Sequence, residues 1–182
     1  YLVTGRVERL KKKYGLTVSW IHFPLHPETP DSGLSLEELF KGRGYDIDEM
    51  KQRMSSLMTE EKLPYGNRSH TYNSRLAQEL SKWGESFPEG EELNLKLFEA
   101  YFVEGYNLAE PEVLLDVTQA ARLSREVAEG VIRERLFRDA VNADWRRAHE
   151  FGVTGVPTFV SGNRGLVGAQ PYEALEQLIQ AK

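Results

Sequence analysis

The chain has 182 residues, of which 40% are hydrophobic, and its formal net charge is −5. Acidic and basic residues are interspersed, so there is no clustered basic face of the kind that predicts a nucleic-acid partner. No apolar run approaches the roughly 18 residues that a membrane span needs. The sequence contains no cysteine, which excludes a disulfide framework, a thiolate metal site and a thiol nucleophile within these residues.

The chain opens with a predicted helix that ends at Gly15, a residue suited to the left-handed position after a last turn. Its apolar residues recur at helical spacing: Val3, Val7, Leu10 and Tyr14. Neither Tyr1 nor Leu2 can cap a helix with its side chain. We therefore expect further residues before Tyr1; the alternative is a processed or frayed terminus.

Residues 16–23, LTVSWIHF, predict a strand that is buried on both faces, as in the centre of an α/β sheet. One predicted face carries Leu16, Val18 and Trp20, and the other carries Ile21 and Phe23. Three prolines within residues 24–30 end this strand.

Between residues 34 and 150 the apolar period is helical. Ser35 and Glu38 form a predicted capping box. The other predicted helix starts are Asp46, Asn73 or Ser74, Pro111 and Ser124, of which Ser124 begins one long helix that runs past Trp145. This block contains no strand in the prediction.

The strand period returns after residue 150. Residues 157–168 predict a hairpin that turns at Gly162 and Asn163, and Pro171 begins a final helix. Because a lone strand cannot bury both faces, we expect residues 16–23 and the hairpin to share one sheet, with the helical block inserted between them. A βαβ unit also requires a strand before the first helix, which we expect to lie before Tyr1.

The segment GVPTFV, residues 155–160, places a proline where a buried strand should begin. Pro157 has no N–H for a sheet ladder, and an ordinary trans proline at the start of an edge strand would explain it. A cis bond is the alternative, since it is accessible only before proline. The segment alone leaves both alternatives open.

Four stretches of the chain together resemble the DsbA family, especially its FrnE-like and 2-hydroxychromene-2-carboxylate isomerase-like branch. They are VSWIHFPLHPE (18–28), NSRLAQ (73–78), LFEAYFVEGYNL (97–108) and GVTGVPTFVSGNRGLVGAQPYEAL (152–175). The resemblance implies an α/β, thioredoxin-like fold with a large all-helical insertion. It assigns residues 1–30 and 150–182 to the thioredoxin-like domain and residues 31–149 to the insertion.

The same resemblance implies that Pro157 is cis and lies beside an active-site Cys-x-x-Cys, or a serine variant, at the N-terminus of the first helix. Relatives often continue from that motif with Tyr-Leu, as this chain begins, so the catalytic residues are expected immediately before Tyr1. A helix N-terminus lowers the pKa of a thiol and makes its thiolate available.

The expected substrate-binding residues are Val156, Pro157, Thr158, His22 and Asn73. The backbone of Val156 would pair with an extended peptide as an added strand. His22 is either a partner for a thiolate or a half-buried strand histidine, and Asn73 either lines the ligand pocket or caps a helix. No metal site is expected, because the spacing of His22 and His26 would align two ligands only on a helix.

These features predict a thiol–disulfide oxidoreductase that acts on protein or peptide thiols and disulfides. The alternatives are a glutathione-dependent isomerase or kappa-class transferase relative, and a non-catalytic peptide-binding module. No cofactor is expected, although glutathione could serve as a co-substrate. We expect a cytoplasmic protein with neither a nucleic-acid nor a membrane partner, and the sequence predicts no oligomeric state.

Overall fold

The computed structural model describes residues 1–180. Ala181 and Lys182, which end the predicted thioredoxin-like segment 150–182, lie outside the described residues. The helices are α1 (Thr4–Tyr14), α2 (Leu36–Leu39), α3 (Ile47–Glu60), α4 (Arg75–Gly84), α5 (Gly90–Phe102), α6 (Pro111–Ala120), α7 (Arg125–Glu134), α8 (Arg138–Glu150) and α9 (Tyr172–Gln180). The strands are β1 (Leu34–Ser35), β2 (His70–Thr71), β3 (Thr158–Ser161) and β4 (Arg164–Val167).

The chain forms two compact units. The terminal unit joins Tyr1–Leu25 to the residues from Asp144 onward, and the central unit is His26–Ala143. The prediction from sequence divides the chain after residues 30 and 149. The central unit is thus a continuous stretch between two pieces of the terminal unit.

The terminal unit contains a β-hairpin that the sequence predicted correctly. Strands β3 and β4 pair antiparallel, with Thr158 opposite Val167 and Ser161 opposite Arg164. Gly162 takes a positive φ of 61° in the connecting turn, where a residue without Cβ meets no steric penalty. The end of α1 at Gly15, with φ 62°, is also confirmed, as is the start of α9 just after Pro171.

The prediction of a strand over residues 16–23 is wrong for this structure. The described residues contain two sheets, β1–β2 and β3–β4, and residues 16–23 belong to neither. The burial prediction also fails, because Leu16, Val18, Trp20 and Phe23 are only half-buried and Ile21 is 37% exposed. A strand is defined by the ladder that it forms with a neighbour, and in the described chain no strand pairs with this segment.

The central unit has a continuous apolar core formed by α4, α5, α6 and α7. The residues of this core are Ala77, Leu80, Trp83, Leu93, Leu97, Ala100, Leu108, Leu114, Leu115, Val117, Ala121, Ala128, Val131 and Ile132. Their helical spacing turns one stripe of each helix inward. The predicted helical period is therefore confirmed where it matters most for stability.

Local signals located several helix starts in the central unit. Ser35 and Glu38 form the complete capping box of α2. The Asp46 side chain accepts a hydrogen bond from the Glu49 N–H at the start of α3, and Pro111 occupies the first turn of α6. The two-residue strands β1 and β2 were missed, because nothing local marks so short a ladder, in which Leu34 pairs with Thr71 and Ser35 with His70.

The single long helix predicted after Ser124 is two helices. Ser124 does cap α7, but α7 ends at Glu134. The next residue, Arg135, has a left-handed φ of 54°, and α8 begins at Arg138. Arg135 forms a two-pronged ion pair with Glu79, from Nε to Oε2 and from Nη2 to Oε1, both at 2.7 Å. The ion pair between Arg135 and Glu79 of α4 thus occurs at the break between α7 and α8, which helical periodicity alone does not indicate.

Candidate functional site

The loop that leads into β3 presents an unpaired peptide unit at Val156. The Val156–Pro157 peptide bond is cis, which is the geometry that the family resemblance implies. Within residues 1–180, no hydrogen bond is found to the backbone N–H or C=O of Val156, and its residue surface is 49% exposed. A main-chain donor and acceptor are thus open to a ligand at this position.

The residues on either side of Val156 are held in place. The Gly168 N–H donates to the Pro157 carbonyl at 2.8 Å, and the Thr158 hydroxyl donates to the Gly155 carbonyl at 2.7 Å. These two contacts fix the loop before and after the open peptide group. The Thr158 hydroxyl therefore stabilises the loop conformation through its hydrogen bond to Gly155.

One face of the hairpin is apolar and open. Residues directly opposite each other in an antiparallel pair share a face, and so do residues two apart in a strand. By this register Thr158, Val160 and Val167 lie on one face. Val160 is 51% exposed and Val167 is 58% exposed, so two branched apolar side chains accompany Thr158 on that face.

His22 lies in residues 16–24 of the same unit, which form neither a helix nor a strand. Its backbone N–H donates to Oδ2 of Asp144 at 3.2 Å. Asp144 is a carboxylate of α8 with only 7% of its surface exposed. The prediction did not select Asp144, although an acidic residue beside Trp145 in an apolar helix stripe is an available signal. This contact anchors the segment that carries His22.

Asn73 belongs to the central unit, where its side chain is committed to local structure. Its Nδ2 donates to the Thr29 carbonyl, and its Oδ1 accepts from the Arg75 N–H, each at 2.9 Å. The second contact satisfies one of the first N–H groups of α4. The N-cap position of α4 is held by Ser74, which makes no side-chain cap hydrogen bond. Asn73 contacts the first residue of α4 from the preceding position, and a ligand contact for Asn73 stays a prediction.

Other ionisable groups do not form an obvious site. Burial lowers the pKa of His26, and the positive charges of Arg43 and Arg68 lower it further. Among residues 1–180, no cluster of three or more His, Asp or Glu side chains is arranged to hold a metal ion. None of the helices described above is both long enough and apolar enough to cross a membrane.

A shallow groove of about 400 Å³ lies in the central unit. Its lining includes Lys96, Glu104, Tyr106 and Asp116, and it contains none of the predicted site residues. Lys96 is already paired with Glu99 at 2.7 Å. The groove therefore carries no feature of the chemistry that the sequence predicts.

Comparison with known proteins identifies relatives over the whole described chain. The family model described as a DSBA-like thioredoxin domain matches residues 1–180. Among curated proteins, the uncharacterized protein YwbO of Bacillus subtilis is 26% identical over 111 residues. That match covers 60% of this chain and 55% of YwbO, so this chain spans about half the length of that relative.

Solved structures show the same fold at lower identity. A probable DsbA oxidoreductase from Streptomyces coelicolor is 24% identical, with a TM-score of 0.90 over 99% of this chain and 82% of its own. A 2-hydroxychromene-2-carboxylate isomerase is 21% identical, with a TM-score of 0.76 over 99% of this chain and 88% of its own. The cytosolic disulfide reductase DsbM from Pseudomonas aeruginosa, solved with GSH, is 18% identical, with a TM-score of 0.62 over 99% and 86%.

These matches confirm the predicted fold class and the predicted family. The fold likeness extends across both units, including the helical block between the two pieces of the terminal unit. The chain belongs to the DSBA-like thioredoxin domain family.

Proposed function

We propose that this chain is the substrate-binding scaffold of a thiol–disulfide oxidoreductase. The observation that carries the proposal is the open peptide group of Val156, set in a loop fixed by Gly168 and Thr158. An extended substrate segment pairs with that group as an added strand. Family membership supports this assignment, because disulfide oxidoreductases are among the structural neighbours.

The 182 residues contain no cysteine, so the proposal places the reacting thiols in a Cys-x-x-Cys directly before Tyr1. The first thiolate attacks one sulfur of a substrate disulfide, forms a mixed disulfide and expels the second substrate sulfur as a thiolate. The second cysteine then attacks the mixed disulfide and releases the first substrate sulfur. The substrate disulfide gains two electrons, and the enzyme dithiol becomes a disulfide.

The oxidised enzyme then needs two electrons to return to the dithiol. Two molecules of reduced glutathione supply them by the same exchange and leave as glutathione disulfide. One structural neighbour supports a glutathione-linked, cytoplasmic reaction: the cytosolic disulfide reductase DsbM, which was solved with GSH. Protein and peptide disulfides are thus the proposed substrates, and glutathione is the proposed co-substrate.

Insulin reduction by the full-length protein tests the thiol chemistry. We expect turnover in the presence of glutathione and loss of turnover when either proposed cysteine is changed to serine. Inactivity of a protein that has an intact Cys-x-x-Cys would overturn the proposal. A serine at the first position would instead favour the glutathione-dependent isomerase, and absence of both residues would favour a peptide-binding module.

A backbone-modified peptide tests the role of Val156 separately. In a disulfide-containing substrate peptide, the residue opposite Val156 is N-methylated, which removes the N–H that the Val156 carbonyl would accept. Loss of that hydrogen bond should raise KM about tenfold. The control peptide carries the N-methyl group on the adjacent residue, whose N–H points away from the paired edge. Equal KM values for the two peptides would contradict strand pairing at Val156.

A further inference from the structure

Arg6 joins α1 to the loop that follows the hairpin. It is the third residue of α1, and its Nη1 donates to the Gln170 carbonyl at 2.6 Å and to the Ala169 carbonyl at 3.1 Å. More than 160 residues separate the partners along the chain. Arg6 is therefore a long-range contact made within the first turn of the helix.

The loop that Arg6 contacts is itself tied to the Val156 segment. The Gly168 N–H donates to the Pro157 carbonyl at 2.8 Å, and the Gln170 N–H donates to the Gly168 carbonyl at 2.8 Å. Gln170 Nε2 also donates to the Val167 carbonyl at 2.6 Å. A continuous series of hydrogen bonds thus runs from Arg6 through residues 168–170 to Pro157.

The two hydrogen bonds from the Arg6 guanidinium restrict the positions of the carbonyls that accept them. A guanidinium is planar and its N–H groups have fixed directions, so two carbonyls bound to one nitrogen are restricted in both distance and angle. The carbonyls follow the last residue of β4, where the sheet ladder no longer constrains the backbone. Arg6 therefore limits movement of the loop relative to the first turn of α1.

We propose that Arg6 is a positioning residue, which sets the distance between the first turn of α1 and the substrate-binding edge at Val156. This inference rests on the proposed function, in which thiols before Tyr1 react with a peptide held at that edge. Arg6 touches neither the substrate nor the reacting sulfurs. It acts through Gly168 and Pro157, so it affects the binding of an extended peptide more than the exchange step.

The test compares three variants of the full-length protein. Arg6→Met removes the donors and the charge, whereas Arg6→Lys keeps the charge and one donor group. Arg9→Met is the matched control, because Arg9 lies one turn further along α1 and stacks on the Tyr172 ring at 4.1 Å without bonding to the loop. Insulin reduction gives KM and kcat, and amide hydrogen exchange reports the Gly168 N–H.

We expect Arg6→Met to raise KM about tenfold with kcat changed less than about twofold, and Arg6→Lys to recover part of the loss. Arg9→Met should leave both parameters within about twofold. Exchange of the Gly168 amide should be faster in Arg6→Met and unchanged in Arg9→Met. A purely structural role would instead lower kcat and stability alike in both methionine variants.

The exchange measurement separates this inference from the proposed function. If the wild-type protein is inactive but the Gly168 amide exchanges faster in Arg6→Met, the thiol chemistry is wrong while the hydrogen-bond series is real. If the wild-type protein is active and Arg6→Met leaves KM and Gly168 exchange unchanged, the positioning role is overturned and the proposed function stands.

Discussion

The two units of this chain differ in the contacts that stabilise each of them internally. All six of the largest fully buried side chains among the described residues lie in the central unit, Leu80, Leu93 and Leu114 among them. In the terminal unit, α1 and α9 are joined by polar contacts, in which Oε1 of Glu176 accepts from Lys13 at 2.8 Å and from Tyr14 at 2.9 Å.

Apolar packing and hydrogen bonding constrain a structure in different ways. Apolar packing is non-directional, so it stabilises a helical block without fixing any one group to a fraction of an ångström. Hydrogen bonds depend steeply on distance and angle, so they place particular backbone atoms. In the terminal unit, where the open peptide group of Val156 lies, such directional contacts fix the loop around Val156 and link α1 to α9.

Truncation of one buried leucine in each unit should give the largest difference between the units in the free energy of unfolding. Leu114→Ala in the central unit should lower the free energy of unfolding by about 3–5 kcal/mol, because fully packed neighbours cannot fill the cavity. Leu175→Ala in the terminal unit, where Leu175 is 2% exposed, should cost about 2 kcal/mol because Leu175 lies outside the large apolar core cluster that contains Leu114. Urea denaturation measures both losses. An equal or larger loss for Leu175→Ala would break the comparison.

Glu79 is a directional contact inside the central unit, so it tests the contrast from the other side. It is 2% exposed and binds both Arg75 and Arg135 at 2.7 Å. Glu79→Gln should lower the free energy of unfolding by about 2 kcal/mol, since a buried charged hydrogen-bond acceptor is lost. Glu176→Gln, the matched change in the terminal unit, should cost less, because Glu176 is more open to solvent.

The pH dependence of the Glu79 loss has a definite sign. Burial alone would raise the pKa of Glu79, but hydrogen bonds from Arg135 and Arg75 outweigh it and lower the pKa. The ionised form therefore stabilises the fold fully above the ordinary glutamate pKa of about 4.3, and this contribution is lost as the pH falls through the lowered value. The stability difference between wild type and Glu79→Gln should shrink on acidification below pH about 4. A constant difference would contradict the ion pair.

The smallest expected effect comes from helix α7. A Cβ added at Gly130 meets no atom within 4 Å, so Gly130→Ala should stabilise the central unit by about 0.5–1 kcal/mol through helix propensity. The control is Gly66→Ala, which should be destabilising because its added Cβ would clash with the Val103 carbonyl oxygen. Thermal unfolding of both variants checks the pair. A stable Gly66→Ala protein would show that backbone packing in this unit is looser than described.

The difference between local signals and long-range pairing explains how much of the fold could be predicted from sequence. Features that depend on residues close together in the sequence were predicted correctly. They include the capping box of Ser35 and Glu38, the end of α1 at Gly15 and the hairpin turn at Gly162. The strand over residues 16–23 was wrong, because ladder formation depends on a neighbour and not on the segment itself. The β1–β2 pair was missed for the same reason.

The candidate site was predictable to the same extent. The GVPTFV motif indicated Val156 and Pro157 through a family resemblance. The contacts of Arg6 with residues 169–170 and of Asp144 with the His22 N–H join residues more than 120 positions apart. No local pattern encodes such pairs, so the geometry around the motif had to come from the structure.

The left-handed backbone at Arg135 has one more consequence. Left-handed φ is unfavourable for a residue with a Cβ, yet this residue carries the guanidinium that reaches Glu79. We infer that the carboxylate of Glu79, and not the local sequence, causes residues 125–150 to form two helices instead of one. An excised peptide of residues 124–150 should then adopt one uninterrupted helix in trifluoroethanol. A break at Arg135 in that peptide would assign the bend to local preference instead.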